Sequence, residues 1–165
     1  QIGVWTTALV VALSLKEPAA DKGPHISSHL GEALRISAAA LTLEMARSTA
    51  LQRALHRYTG VTMSQLATST VCLRLHPASA RLARWMLMSQ DRAQAQRFAV
   101  TAAFLTYMLG EPRHGVANAV SDLQQRRLIE RQGDTVAVID RAGLESAACS
   151  CYQAERTQYQ HHLGL

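Results

Sequence analysis

Lysine is almost missing from this chain: two lysines stand against fifteen arginines. The net charge of +5 therefore rests on planar guanidinium groups, each able to donate two parallel hydrogen bonds to a phosphate or a guanine edge. Cysteine is scarce too. Cys72, Cys149 and Cys151 form an odd set, which argues against a disulfide scaffold and fits a reducing, cytoplasmic setting. No nucleophile elbow, glycine-rich phosphate loop or paired-histidine helix motif is present, so no enzyme is expected and no cofactor is implied. Repeats and low-complexity tracts are absent as well. The apolar run Val4 to Leu15 contains Thr6, Thr7 and Ser14, is too short to cross a bilayer and follows no basic segment. It reads as buried protein, with no membrane partner expected. The chain begins at Gln1 directly in this run, and a natural start further upstream is expected.

What is present suffices for a fold. With 165 residues and 48% apolar content, the chain can build one ordinary domain or two small ones. Residues 1 to about 36 carry the loop formers Pro18, Gly23, Pro24 and Gly31, and short strands are expected at His25–Leu30 and Ala33–Ile36. Ser37 is placed to cap one helix and Ser48 a much longer one running to about Leu75. Along the long helix, Leu51, Leu55, Tyr58, Thr62, Leu66, Ser69 and Leu73 recur at steps of three and four. That seam suits a dimerisation helix, although an ordinary amphipathic core helix has the same periodicity. Gly60 interrupts it at a cost of about 1 kcal/mol relative to alanine. Pro77 then fits the first turn of a helix whose apolar face is Leu82, Trp85, Met86 and Met88, with Asp91 to Arg97 as a polar connector.

Val100 to Asp140 is the most telling segment. Thr101 is positioned to cap a helix with Phe104, Leu105 and Met108 facing the core; Gly110 suits a left-handed helix end and Pro112 the first turn of the next helix. Val116, Val120 and Leu123 give that second helix an inner face, which turns Arg113, His114, Ala117 and Asn118 outward near its N-terminus. Candidate strands Leu128–Arg131 and Thr135–Ile139 flank the turn Gln132-Gly133-Asp134 and form a wing. A helix beyond a turn with a hairpin beside it is suited to a DNA groove, with base edges read from the N-terminal end of the second helix. Arg113, His114, Ala117 and Asn118 are the base-reading candidates. Thr101, Arg126, Arg127 and Arg131 are the candidates for the DNA backbone. A short helix from about Ala142 to Tyr152 and a polar tail should close the chain.

The segments CLRLHPASARLARWMLMSQDR, FLTYMLGEPRHGVANAVSDLQQRRLI and DRAGLESAACSCY resemble, in order and spacing, the C-terminal half of Crp/Fnr-type transcription regulators. GEALRIS resembles the last strand of that family's effector β-roll. The resemblance implies an α+β, predominantly helical protein: a partial, cyclic-nucleotide-binding-like β-roll with a short helix over residues 1–47, a dimerisation helix over 48–76 and a winged helix-turn-helix over 77–165. It further implies a bacterial-type homodimer on double-stranded DNA, joined through Leu51, Leu55, Tyr58, Thr62, Leu66 and Leu73. The half-sites of its palindrome would lie roughly 34 Å apart, and RNA polymerase is a further candidate partner. Arg113 keeps the first position of the family's reading motif, whereas His114 and Asn118 replace its usual acidic and second basic residues. Ala102 stands where some members carry a basic phosphate contact. The stretches Ile2-Gly3-Val4 and Lys22-Gly23-Pro24-His25 lack the carboxylate and arginine that hold a cyclic nucleotide in members that bind one, so the effector is unassigned.

Two other readings have less behind them. A winged-helix module for dimerisation or protein contacts, its DNA face decayed, would explain Ala102 and His114. Cys149 and Cys151 with His161 and His162 supply zinc-ligand types, but at poor spacing for a structural site. A structural or incidental role is expected for the cysteines, no metal is expected, and the scattered His25, His29, His56 and His76 are given no ligand role.

Overall fold

A computed structural model of the chain describes residues 36–93 and 95–163. The strand expected at His25–Leu30, that at Ala33–Ile36 apart from Ile36, the run Val4–Leu15 and the stretches compared with an effector pocket lie outside the described residues. Within the described residues, Gln65–Thr157 form one compact unit. The segments up to Ser64 and from Gln158 onward form another. No described helix is long and apolar enough to cross a membrane.

Serine hydroxyls set the first two helices. Ser37 Oγ accepts from the Ala40 N–H at 3.2 Å and opens α1, Ala38–Arg47. Ser48 ends α1 through its own N–H to Glu44 O, while its Oγ accepts from the Leu51 N–H at 3.2 Å and opens α2, Thr49–Leu75. Gln52 Nε2 donates to Met45 O at 2.7 Å across the joint. One serine thus stops one helix and starts the next. α2 is 27 residues long and continuous through Gly60, where an added Cβ would meet nothing within 4 Å.

α3, Ala78–Ala93, begins after Pro77, whose carbonyl accepts from the Arg81 N–H at 3.1 Å. Its inner face is Leu82, Ala83, Met86 and Leu87, all buried; Trp85 and Met88 pack at the flank. Trp85 meets Phe98 and Phe104 edge-on, with ring centroids 6.4 and 5.6 Å away. The polar connector expected over Asp91–Arg97 is shorter than that: Asp91 to Ala93 complete the last turn of α3, Ala95 and Gln96 lie outside helix and strand, and Arg97 starts strand β1, Arg97–Ala99. Three residues with one inward side chain, Phe98, are too few to show an alternating pattern.

After β1 come α4, Ala102–Leu109, and α5, Arg113–Gln125. Strands β2, Ile129–Gln132, and β3, Thr135–Val138, follow, each within a residue of its expected bounds. The sheet is antiparallel in the order β1-β3-β2, with Phe98 opposite Val136 and Ile129 opposite Val138. Its inward residues join the buried faces of α3 and α5 in one core with Val100, Leu105 and Leu144.

The single helix expected over Ala142–Tyr152 is two, and the polar tail is helical. α6, Arg141–Ala147, stops at extended Ala148; α7, Cys151–Leu163, starts three residues later. Asp140 Oδ1 caps α6 by accepting from the Gly143 N–H at 2.9 Å. Arg141 then gathers the neighbourhood, donating to Gln90 Oε1 at 2.9 Å, Asp91 Oδ1 at 2.7 Å and the Tyr152 hydroxyl at 2.9 Å. Tyr152 in turn donates to Asp91 Oδ2 at 2.8 Å. Burial, then the hydrogen bond and charge of Asp91, push the Tyr152 hydroxyl up to about 12. α7 carries few apolar residues, and its start is held by buried Tyr152 and Glu155. Composition alone reads such a segment as solvated tail.

Candidate nucleic-acid interface

The corner between α4 and α5 is fixed from both chain directions and from beneath. Thr101 Oγ1 accepts from the Phe104 N–H at 3.1 Å and caps α4. Gly110 ends α4 with φ of 60°, a backbone region that disfavours a side chain. Pro112, with φ of −64°, occupies the N-cap of α5. Arg81 reaches up from α3: Nη1 donates to Leu109 O at 2.6 Å and Nη2 pairs with Glu111 Oε1. The Glu111 carboxylate also lies over the first turn of α5, so near Gly115 that a Cβ there would stand 2.8 Å from Oε2. A carboxylate suits the positive end of a helix. Arg81 Nε is buried without a hydrogen-bond partner, so the brace is strong at the fork and unsatisfied behind it.

This corner presents α5 outward. Val116, Ala119, Val120 and Leu123 are buried, whereas Arg113, His114, Ala117 and Asn118 are exposed on its other side. Met108 does not face the core as expected; it is 41% exposed, and Leu109 is buried instead. α4 is apolar on nearly every side, so its sequence does not distinguish the two. Tyr107 on the same helix is 74% exposed.

Beyond α5 the chain reverses through Arg127, whose φ of 57° makes it the one non-glycine residue with positive φ among those described. The Arg127 N–H donates to Gln124 O at 2.9 Å and the Leu128 N–H to Leu123 O at 3.0 Å, closing the helix end in the manner that glycine usually serves. Arg126 and Arg127 are both exposed; Arg126 lies 3.8 Å from Asp122. Arg131 is partly engaged by the wing turn, with Nε donating to Gly133 O at 2.9 Å and Nη2 3.8 Å from Asp134. Arg113, His114, Asn118, Arg126 and Arg127 thus stand around the exposed ends of α5, and Arg131 and Thr101 lie on the segments flanking it.

The expected dimer seam is uneven. Leu55 is buried, Leu51, Tyr58 and Thr62 are half-buried, and Leu66 and Leu73 are 59% and 48% exposed. Ser69 accepts a hydrogen bond from Arg84 Nη2 at 3.0 Å.

A second constellation is built from residues to which no common role is given by sequence. Sulfurs of Cys72, Cys149 and Cys151 and a ring nitrogen of His76 all lie within 4.8 Å of one another. His76, expected to be without a ligand role, therefore stands among the three cysteines, and it, not His161 or His162, is the histidine of this group. Cys72 and Cys149 are buried, their sulfurs 3.4 Å apart. Burial, then the hydrogen bond and proximity of Cys149, push the Cys72 thiol up to about 12, with Arg84 pulling the other way. Burial likewise raises Cys151. Arg84 is itself buried against Glu155, to which Nε donates at 3.1 Å. Pairs 77 residues apart leave no mark on local spacing.

Comparison with known proteins bears on the first constellation. Residues 80–147 match the family model of the Crp-like helix-turn-helix domain. No curated protein matches the sequence. Among solved structures, a CRP-family transcriptional regulator from Thermus thermophilus is similar at 24% identity and a TM-score of 0.50, over 68% of this chain and 55% of that one. The chain thus spans little more than half of that regulator's length, and the likeness concerns fold alone. The Thermus thermophilus catabolite activator protein matches at 21% identity over 67% of this chain and 46% of that one, with a TM-score of 0.41, a likeness too distant to carry weight. The matched segment takes in most of α3, the sheet, α4, α5 and α6, and residues 80–147 are a Crp-like helix-turn-helix domain.

Proposed function

We propose that the chain is a sequence-specific DNA-binding transcription regulator, acting in the cytoplasm as a homodimer on a palindromic site. The observation that carries this reading is the row Arg113, His114, Ala117 and Asn118, exposed at the N-terminal end of a helix held beyond a braced turn. In a major groove these side chains would meet base edges, with Arg113 able to fork onto a guanine. Thr101 would donate its hydroxyl proton to a phosphate while its oxygen keeps capping α4. Arg126, Arg127 and Arg131 would hold the adjoining backbone. Arg127 adds support of its own: a left-handed residue other than glycine costs about 1–2 kcal/mol, so its side chain has reason to be kept. Leu66 and Leu73, one heptad apart and open on α2, favour helix-to-helix association of two copies.

Selection of bound duplexes from a random pool tests the reading. A two-fold symmetric consensus with half-sites about one helical turn apart is expected. Absence of any enriched sequence, together with binding indifferent to salt, would reject it. A second reading, a winged-helix module for protein contacts, draws on exposed Tyr107 and Met108; it predicts that second result.

A further inference from the structure

We infer that Cys72, His76, Cys149 and Cys151 form a structural zinc site that ties the end of α2 to the start of α7. The two ligand pairs come from different local geometries. Cys72 and His76 stand one helical turn apart, and the His76 N–H donates to Cys72 O at 3.1 Å, so both side chains leave the same face at the end of α2. Cys149 and Cys151 flank the bend into α7, where the Tyr152 N–H donates to Cys149 O at 3.0 Å and draws the two sulfurs together.

The distances fit one metal ion. Zinc–sulfur bonds of about 2.3 Å give a tetrahedron with edges of about 3.8 Å, slightly shorter to a nitrogen ligand. Here the Cys72 and Cys149 sulfurs are 3.4 Å apart, Cys151 Sγ is 3.7 Å from His76 Nδ1, and no pair of donors exceeds 4.8 Å. An iron–sulfur cluster spreads its four ligands over two or more irons and needs a wider set. A Cys72–Cys149 disulfide would use two donors and leave Cys151 and His76 beside it without purpose.

The donor chemistry fits as well. Three thiolates and an imidazole are soft-to-borderline ligands of the kind zinc takes in closed, four-coordinate structural sites. Three thiolates around a divalent ion leave one net negative charge, and the Arg84 guanidinium acts electrostatically on Cys72 and Cys151 from nearby. Cys72 and Cys149 are buried while Cys151 and His76 are half-buried, giving a sheltered site with an approach for the ion. All four positions are filled by protein, so the site is a staple, not a catalytic centre.

The full chain, produced in zinc-supplemented medium and purified with a reductant, should carry one zinc per chain by elemental mass spectrometry. Cobalt(II) added to the metal-stripped chain should give the intense visible bands of tetrahedral coordination and a thiolate-to-metal charge-transfer band. His76→Ala and Cys151→Ser, at the half-buried positions, should each lower zinc affinity by more than the roughly 10–100-fold that loss of an outer-shell partner costs. His76→Cys should retain a tetrahedral cobalt spectrum, shifted by its fourth sulfur, and the double variant His161→Ala, His162→Ala should keep full stoichiometry. Unchanged circular dichroism of the stripped variants would separate ligand loss from misfolding. The inference is overturned if the reduced wild-type chain binds no zinc or cobalt. A cluster of iron and sulfide in the purified chain would overturn it too, as would full zinc affinity in both His76→Ala and Cys151→Ser.

Discussion

Arg81 and Arg84 lie one turn apart on α3, both buried and both paired with a glutamate, yet they brace two unlike corners. Arg81 holds the turn between α4 and α5, where glycine, proline and a cap already fix the backbone. Arg84 holds Glu155 of α7, beside the sulfur cluster, where local sequence fixes little. Stability therefore has a different source in each. A corner written in backbone preferences needs an arginine only to steady it, whereas a corner made by distant segments depends on its buried charges.

The two corners should accordingly break differently. In the metal-stripped chain, Glu155→Ala strands the Arg84 charge in the interior and should cost about 3–5 kcal/mol in urea unfolding. Arg84→Met with Glu155→Leu should recover most of that loss, since replacing both charges removes the desolvation penalty with them. Arg81→Ala should cost about 2 kcal/mol, because the Glu111 side chain is 28% exposed and water can take over its solvation. Arg81→Ala should also weaken DNA binding on every sequence, as a loosened turn misplaces α5 as a whole. Tyr152→Phe should cost about 1 kcal/mol near neutrality. The folded-state value of Tyr152 lies above its unfolded one, so the stability it adds is complete below about pH 10 and lost as pH rises toward 12. The variant should lack that part of the alkaline unfolding curve. Arg127→Gly should have the smallest effect on folding and the opposite sign, a gain of about 0.5–1 kcal/mol from relieved left-handed strain. DNA affinity should fall on all duplexes alike, with a shallower salt slope.

The same contrast explains which parts of the fold are legible in the sequence. The corner at Gly110 was legible because each signal there is local: Thr101, Gly110 and Pro112 act through their own backbones, and Val116, Val120 and Leu123 repeat at helical spacing. The wing was legible for the same reason, through Gly133 and its flanking strands. Strand β1 was not, since Phe98 alone points inward. Met108 and Leu109 could not be told apart on an apolar eight-residue helix. α7 was hidden because one of its anchors is Glu155, a residue that looks solvated until Arg84 is placed against it. The meeting of Cys72 and His76 with Cys149 and Cys151 was hidden most deeply, since it exists only after the chain has folded back on itself.

Base reading by α5 stands or falls on Arg113→Ala, compared with the parent chain on a selected site and on random duplex at several salt concentrations. A base-reading Arg113 requires a loss of about 1–3 kcal/mol on the selected site and little on random DNA, with an almost unchanged salt slope. An equal loss on both, with a shallower slope, would refute base reading and place Arg113 on the phosphate backbone instead.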